Sequence, residues 1–156
     1  MTFLEKAKLF SFLELLQILK AHIGDRLINS VPKGLKSVKN LIGSLSQEGI
    51  KVKKYKESIF FEYEINRTPY LYYLKRKSSD SDVFKQIILD AEYSKVIEII
   101  KKFNIPCKNM LDAGANIGLT SIYFKLHFPK INIISLEPSR AKIKRLERNI
   151  NCLKGI

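Results

Sequence analysis

The stretch MLDAGANIGLTSIYF, Met110 to Phe124, decides how the rest of this chain reads. An apolar run reaches an acid, Asp112. Small residues and an asparagine follow as Gly114-x-Asn116-x-Gly118, and helical periodicity then begins. Glycines in such a turn permit tight backbone geometry and close approach of a ligand. A helix opening near Ile117 points unpaired N–H groups at that ligand. Further on, INIISLE (Ile131–Glu137) reads as a second strand that also ends in an acid, Glu137. A carboxylate at that place holds both hydroxyls of a ribose. The unit therefore reads as a binding site for a nucleoside carried by a small-molecule cofactor.

The spacing narrows the choice of cofactor. A dinucleotide site needs G-x-G-x-x-G, with a pyrophosphate over the turn, and the glycine–asparagine–glycine spacing here does not fit it. Asp112 would also repel approaching phosphates. No Gly-Lys-Ser/Thr is present, so a P-loop is excluded. A cofactor with a positive centre and no phosphate suits the acid better, and S-adenosyl-L-methionine, with its ammonium and sulfonium, is one. The competing reading is a strand–turn–helix of small residues that merely packs. Asp112, Gly114, Gly118 and Glu137 standing in register weigh against it.

Working outward, a strand ends at Asp112, a helix runs from about Ile117 to Phe128, and Pro129 stops it. After the second strand, SRAKIKRLERNINCL reads as a helix capped by Ser139, with Ile143, Leu146 and Ile150 inward. Strand, helix, strand, helix implies a parallel sheet, with Leu111 and Ile134 on neighbouring strands. Upstream, IFFEYEI (Ile59–Ile65) and YLYYLK (Tyr70–Lys75) flank NRTP and read as a β-hairpin. VFKQIILDA places Val83, Phe84, Ile87, Ile88 and Ala91 on one helical face, and Ser94 caps a segment running to Lys102, stopped by Asn104 and Pro106. Residues 3–20 and Leu35–Gly49 read as helices, the second ending near Gly43 or Gly49, with a break at Asn29–Gly34 between them.

With these elements in place, LDAGANIGLTSIYF resembles motif I of class I methyltransferases, and most closely that of the FkbM family, whose turn reads D-x-G-A-N-x-G. SLEPS resembles that family's second-strand signature, and RNINCLKG its next helix, with an asparagine at the position of Asn149. SSDSDVFKQIILDAEY resembles the segment before motif I. The likeness covers Ser78 to Gly155. It implies that Gly114, Asn116 and Gly118 lie against the methionine part of S-adenosyl-L-methionine, that Asp112 organises that end, and that Glu137 binds the ribose. Tyr93 is a candidate for a lid over the cofactor, although an inward-facing core tyrosine is the plainer role for it. The family implies O-methylation of a hydroxyl on a sugar, glycan or natural product.

The expected fold class is therefore α/β: the first two parallel strands of a Rossmann-like methyltransferase sheet with their helices, preceded by a β-hairpin and an N-terminal helical region. Residues 1–57 form the helical region and 58–156 the hairpin, leading helix and incomplete cofactor-binding domain. The third and fourth strands, the adenine-binding acid and the substrate loop have no counterpart here, so no residue is assigned as catalytic. The chain reads as the N-terminal portion of such an enzyme, inactive by itself, with sheet edges and an apolar face left uncovered.

Composition bounds the alternatives. The chain has 156 residues, 46% of them apolar, and 28 Lys plus Arg against 15 Asp plus Glu give a net charge of +13. That balance favours anionic partners, and a non-catalytic basic module on RNA or an acidic membrane is the second reading. A methyltransferase acting on RNA is the third; the basic residues are scattered, however, and no RNA-binding motif stands out, so no specific nucleic acid is expected. The partner is expected to be a small-molecule or glycan acceptor, with weak association to a membrane surface as an accessory. KLFSFLELLQILK, Lys8 to Lys20, is too short and too polar to cross a bilayer and fits burial against another surface or an interfacial helix. Cys107 and Cys152 form no C-x-x-C, which fits a cytoplasmic protein. His22 and His127 lack metal-ligand spacing; both read as surface residues, and no metal is expected.

Overall fold

A computed structural model of the protein describes residues 35–151. The expected helix over 3–20, the break at Asn29–Gly34, His22 and Cys152 lie outside the described residues.

Helix α1, Leu35–Gln47, buries Val38, Leu41 and Leu45, which recur at helical spacing. Gly43 lies on its exposed side and does not end it. The helix stops at Gly49, where φ is +78°. The Gly49 N–H bonds the Ser46 carbonyl at 3.1 Å and the Ile50 N–H bonds the Leu45 carbonyl at 2.9 Å. This is the paired arrangement by which a left-handed glycine satisfies the last carbonyls of a helix.

The hairpin is β2, Ser58–Ile65, and β3, Thr68–Lys75, joined by a two-residue turn at Asn66 and Arg67. Both turn residues have positive φ, 51° and 61°, the twist that matches two antiparallel strands. The turn is tighter than NRTP suggested, because Thr68 and Pro69 already belong to β3. Pro69 is tolerated because β3 is the last strand of its sheet and Pro removes only a donor. A two-residue edge strand, β1 (Lys53–Lys54), pairs with β2 and was not foreseen from its exposed lysines. Ile59, Phe61, Tyr70, Tyr72 and Leu74 form the buried face. The Phe84 ring meets Phe61 and Tyr72 edge-on, with centroids 4.9 and 5.0 Å away.

The segment after the hairpin is less regular than its periodicity implied. A short helix, α2 (Asp80–Phe84), runs into a π-helical turn, Lys85–Leu89. The Asp90 N–H bonds the Lys85 carbonyl at 2.8 Å, and Ala91 takes a positive φ of 46°. Phe84, Ile87 and Ile88 are buried as their spacing required, whereas Val83 and Ala91 are half-buried. Helix α3, Ser94–Lys102, has Tyr93 rather than Ser94 at its N-cap. Asn104 ends it with a φ of 50°.

Strands β4 (Asn109–Ala113) and β5 (Asn132–Leu136) pair in parallel, with Leu111 opposite Ile134. Helix α4, Leu119–His127, connects them, and every residue from Leu119 to Phe124 is buried. Helix α5, Arg140–Asn151, lies against β3 and α4. One core runs from Leu41 and Leu45 of α1 through the hairpin face to Ile122 and Phe124 of α4. The chain is thus mixed α/β, an antiparallel sheet beside a parallel pair. On β5, Ile134 and Leu136 are 65% and 52% exposed, so one side of the parallel pair stands uncovered by the described residues. No helix among these residues is long and apolar enough to cross a membrane.

Candidate functional site

The turn between β4 and α4 is laced to the end of β5. The N–H groups of Gly114 and Ala115 both bond the Leu136 carbonyl, each at 2.8 Å. Gly114, Asn116 and Gly118 all take left-handed backbone angles, with φ of 78°, 55° and 84°. Glycine accepts that conformation without strain, and asparagine is among the few other residues that visit it. A Cβ on Gly114 would meet no atom within 4 Å, so open space lies above the turn there. A Cβ on Gly118 would touch Leu146 and Ile150 of α5 at 3.4 Å. One glycine thus faces open space and the other faces the packing of a helix.

Glu137 closes the turn from the far side. Its Oε2 accepts from the Asn116 N–H at 2.9 Å, and its Oε1 accepts from the Ser139 N–H at 2.9 Å. Each carboxylate oxygen keeps a second lone pair for another donor. Asn116 and Glu137, expected to face the same ligand, are therefore in direct contact. The Asn116 Oδ1 is buried and has no hydrogen-bond partner. An orphaned buried acceptor costs free energy unless a donor comes to it, and a protonated amine is such a donor.

Asp112 stands apart from this group. It is fully buried, and its Oδ2 accepts from the Ser121 hydroxyl at 2.6 Å. The Ser121 and Ser135 oxygens are 2.8 Å apart. Because Ser121 spends its one proton on Asp112, Ser135 is the donor in that second bond. The acid thus joins β4, α4 and β5 from within and does not present a surface to a ligand. Tyr93 is buried in the core, its ring 5.5 Å from that of Phe124. Burial pushes its hydroxyl pKa up to about 12, with a hydrogen bond to Thr120 opposing and the Asp112 charge adding to the rise. It is a packed tyrosine, not a lid.

One further expectation changes. His127 is half-buried rather than on the surface, with its ring 4.7 Å from Tyr123. Burial, then the Lys101 charge, lowers its pKa. Cys107 is a free thiol whose pKa burial pushes up, which disfavours the reactive thiolate. Among the described residues no group of His, Cys, Asp and Glu could hold a metal ion.

Sequence reasoning passed over the Ser121–Ser135 pair. The available signal was a polar residue at Ser121 in a helix whose neighbours Leu119, Ile122 and Phe124 all enter the core. It also noted Asn149 only for its position. The structure shows Asn149 fully buried and bonded to both the hairpin and the turn.

Comparison with known proteins adds a chemical class. The chain is 34% identical over 89 residues to "Methyltransferase sdnD" of Sordaria araneosa, a match covering 54% of this chain and 32% of that protein. It is 34% identical over 68 residues to "AMB antimetabolite synthetase AmbE" of Pseudomonas aeruginosa, covering 44% of this chain and 3% of that protein. The chain thus spans about a third of the first relative and a small part of the second. No protein-family profile matches the chain, and no solved structure matches it significantly. The likeness to the Sordaria protein supports a methyltransferase relationship for this chain.

Proposed function

We propose that this chain carries the cofactor-binding portion of an S-adenosyl-L-methionine-dependent O-methyltransferase of FkbM type, built on a Rossmann-like sheet. The acceptor in this reading is a hydroxyl on a sugar, glycan or other natural product. The observation that carries it is the pairing of Glu137 with Asn116 beside the open space over Gly114. When bound, S-adenosyl-L-methionine supplies an electrophilic methyl group on a sulfonium. Glu137 accepts the ribose hydroxyls on its remaining lone pairs. The Asn116 Oδ1 accepts from the ammonium of the methionine part, which satisfies the orphaned oxygen. Gly114 leaves room for the ligand to pass close to the backbone, and Gly118 lets α4 start against α5. Asp112, held by Ser121, keeps the turn in shape and adds negative charge near a cationic ligand in an otherwise basic chain. Methyl transfer depends chiefly on holding two reactants in line, and no described residue is assigned as a general base.

The test is ligand-observed NMR with S-adenosyl-L-methionine and the chain 1–156, a method that reads affinities down to the millimolar range. Binding is expected for the wild type and is expected to be lost in Glu137→Ala and weakened in Asn116→Ala. Absence of binding, or equal binding in all three proteins, would remove the cofactor from this site.

A further inference from the structure

One cavity is lined by none of the residues of the glycine turn. It is about 760 Å³ and is bounded by β3 and the first turns of α5, with Tyr73 and Lys75 on one wall and Arg140, Lys144 and Arg145 on the other. Glu57 is the one acid that lines it. Four cations therefore face one acid in a space large enough for a small organic ligand.

The four cations differ in what already holds them. Arg145 is committed: its side chain is 14% exposed and its Nε ion-pairs with the buried Asp80 at 3.2 Å. Asp80 also accepts from the Lys75 N–H at 2.9 Å, which pins Lys75 to the cavity wall. Lys75, Arg140 and Lys144 have no carboxylate partner among the described residues. Arg140 and Lys144 are four apart on α5, so they share one helical face. Arg148 continues that face, and its guanidinium lies 4.4 Å from the centroid of the Tyr73 ring. Three uncommitted cations around a concave space, beside an Arg145 that the buried Asp80 holds in place, form an electrostatic trap for an anion. A guanidinium and two ammonium groups suit the oxygens of a phosphoryl group.

We propose that this cavity binds a phosphoryl group carried by a small molecule, with Lys75, Arg140 and Lys144 as its ligands and Arg145 as a fixed positive wall. The site is separate from the one assigned to S-adenosyl-L-methionine and does not depend on that assignment.

Inorganic pyrophosphate is the probe, and thermal unfolding and isothermal calorimetry of the chain 1–156 are the readouts. At saturating pyrophosphate the unfolding temperature is expected to rise by several degrees, because only the folded state binds it. Arg140→Ala with Lys144→Ala is expected to weaken binding by roughly 10-fold or more, since two charge-assisted contacts are lost. Both positions are exposed, so folding is not at stake. Lys51→Ala with Lys130→Ala removes the same charge elsewhere and is expected to change nothing. Equal weakening in both double variants would overturn the proposal, because binding would then follow net charge alone. So would no binding by the wild type, or binding of a short RNA that pyrophosphate does not displace. S-adenosyl-L-methionine titrated into the Arg140→Ala, Lys144→Ala protein separates the two sites. Retained cofactor binding with lost pyrophosphate binding supports the proposal, and joint loss of both overturns it.

Discussion

Asn149, in the last turn of α5, donates its side-chain amide to the carbonyl of Ile117 at 2.9 Å. The Oδ1 of the same side chain accepts from the Tyr73 N–H at 2.8 Å, and its backbone carbonyl accepts from the Tyr70 hydroxyl. One buried amide thus joins the outer edge of the hairpin to the turn that starts α4. Without the Asn149 side chain, the Tyr73 N–H of β3 would lose its partner in a half-buried place. Asn149→Ala is expected to cost about 1–3 kcal/mol for each group left unbonded. Asn149→Asp keeps the acceptor for Tyr73 but loses the donor to Ile117, and is expected to destabilise as well. Urea unfolding is the measurement; a loss in Asn149→Ala of only ~0.5 kcal/mol, the scale of an ordinary surface change, would show that the bridge is incidental.

The two turn glycines are expected to separate in their effects. Gly114→Ala and Gly118→Ala each force an L-residue into left-handed backbone, at about 1–2 kcal/mol. Gly118→Ala also presses on Leu146 and Ile150, so it is expected to be the more destabilising of the two. Gly114→Ala fills open space instead and is expected to lower ligand binding more than stability. Chemical denaturation together with cofactor titration distinguishes them, and a Gly114→Ala protein with unaltered binding would contradict the site.

Ser121→Ala removes the donor to Asp112 and leaves a carboxylate oxygen in the core with one contact fewer. A loss of about 1–3 kcal/mol is expected. A double-mutant cycle with Ser135→Ala is expected to show coupling, because the two hydroxyls share one chain of bonds. Strict additivity would mean that the serines act independently.

His127 gives a pH dependence of defined sign. Its folded pKa lies below the ordinary histidine value, first through burial and then through the Lys101 charge. The unfolded chain therefore takes up a proton more readily than the folded one. The stabilisation associated with the neutral ring is complete above the unfolded pKa and is lost as pH falls through the folded pKa. Stability is expected to decline as pH falls below the unperturbed histidine pKa of about 6.5. His127→Gln is expected to flatten part of that decline. Parallel curves for both proteins, from denaturant midpoints at constant ionic strength, would rule the histidine out.

Much of this architecture was legible because it rests on local rules. The aromatic and β-branched residues of Ile59–Ile65 and Tyr70–Lys75, on either side of a turn-forming NRTP, announced the hairpin. Gly49 and Asn104 marked helix ends by their tolerance of left-handed angles, and the apolar runs before Asp112 and Glu137 announced a parallel pair with Leu111 beside Ile134. The tight turn at Gly114, Asn116 and Gly118 was legible too, since all three occupy backbone angles that few other residue types accept.

What the tertiary structure alone decided is where polar groups go once several elements meet. Asp112 and Glu137 read alike as acids ending strands. One is sealed under Ser121 and the other is open against Asn116, because β4 has α4 across its inner face whereas Glu137 lies beyond the end of β5. The π-helical turn at Lys85–Leu89 replaced an expected regular helix, and the apolar spacing does not account for it, since Phe84, Ile87 and Ile88 share one face of a regular α-helix as well. The hydrophobic period states which side chains are buried; hydrogen-bond satisfaction of the buried polar groups, which involves partners far apart in sequence, fixes how the elements sit against one another. Asn149 shows the difference. Its position in a basic amphipathic helix is plain from the sequence, but the Tyr73 N–H and the Ile117 carbonyl that require it come together only in the folded chain.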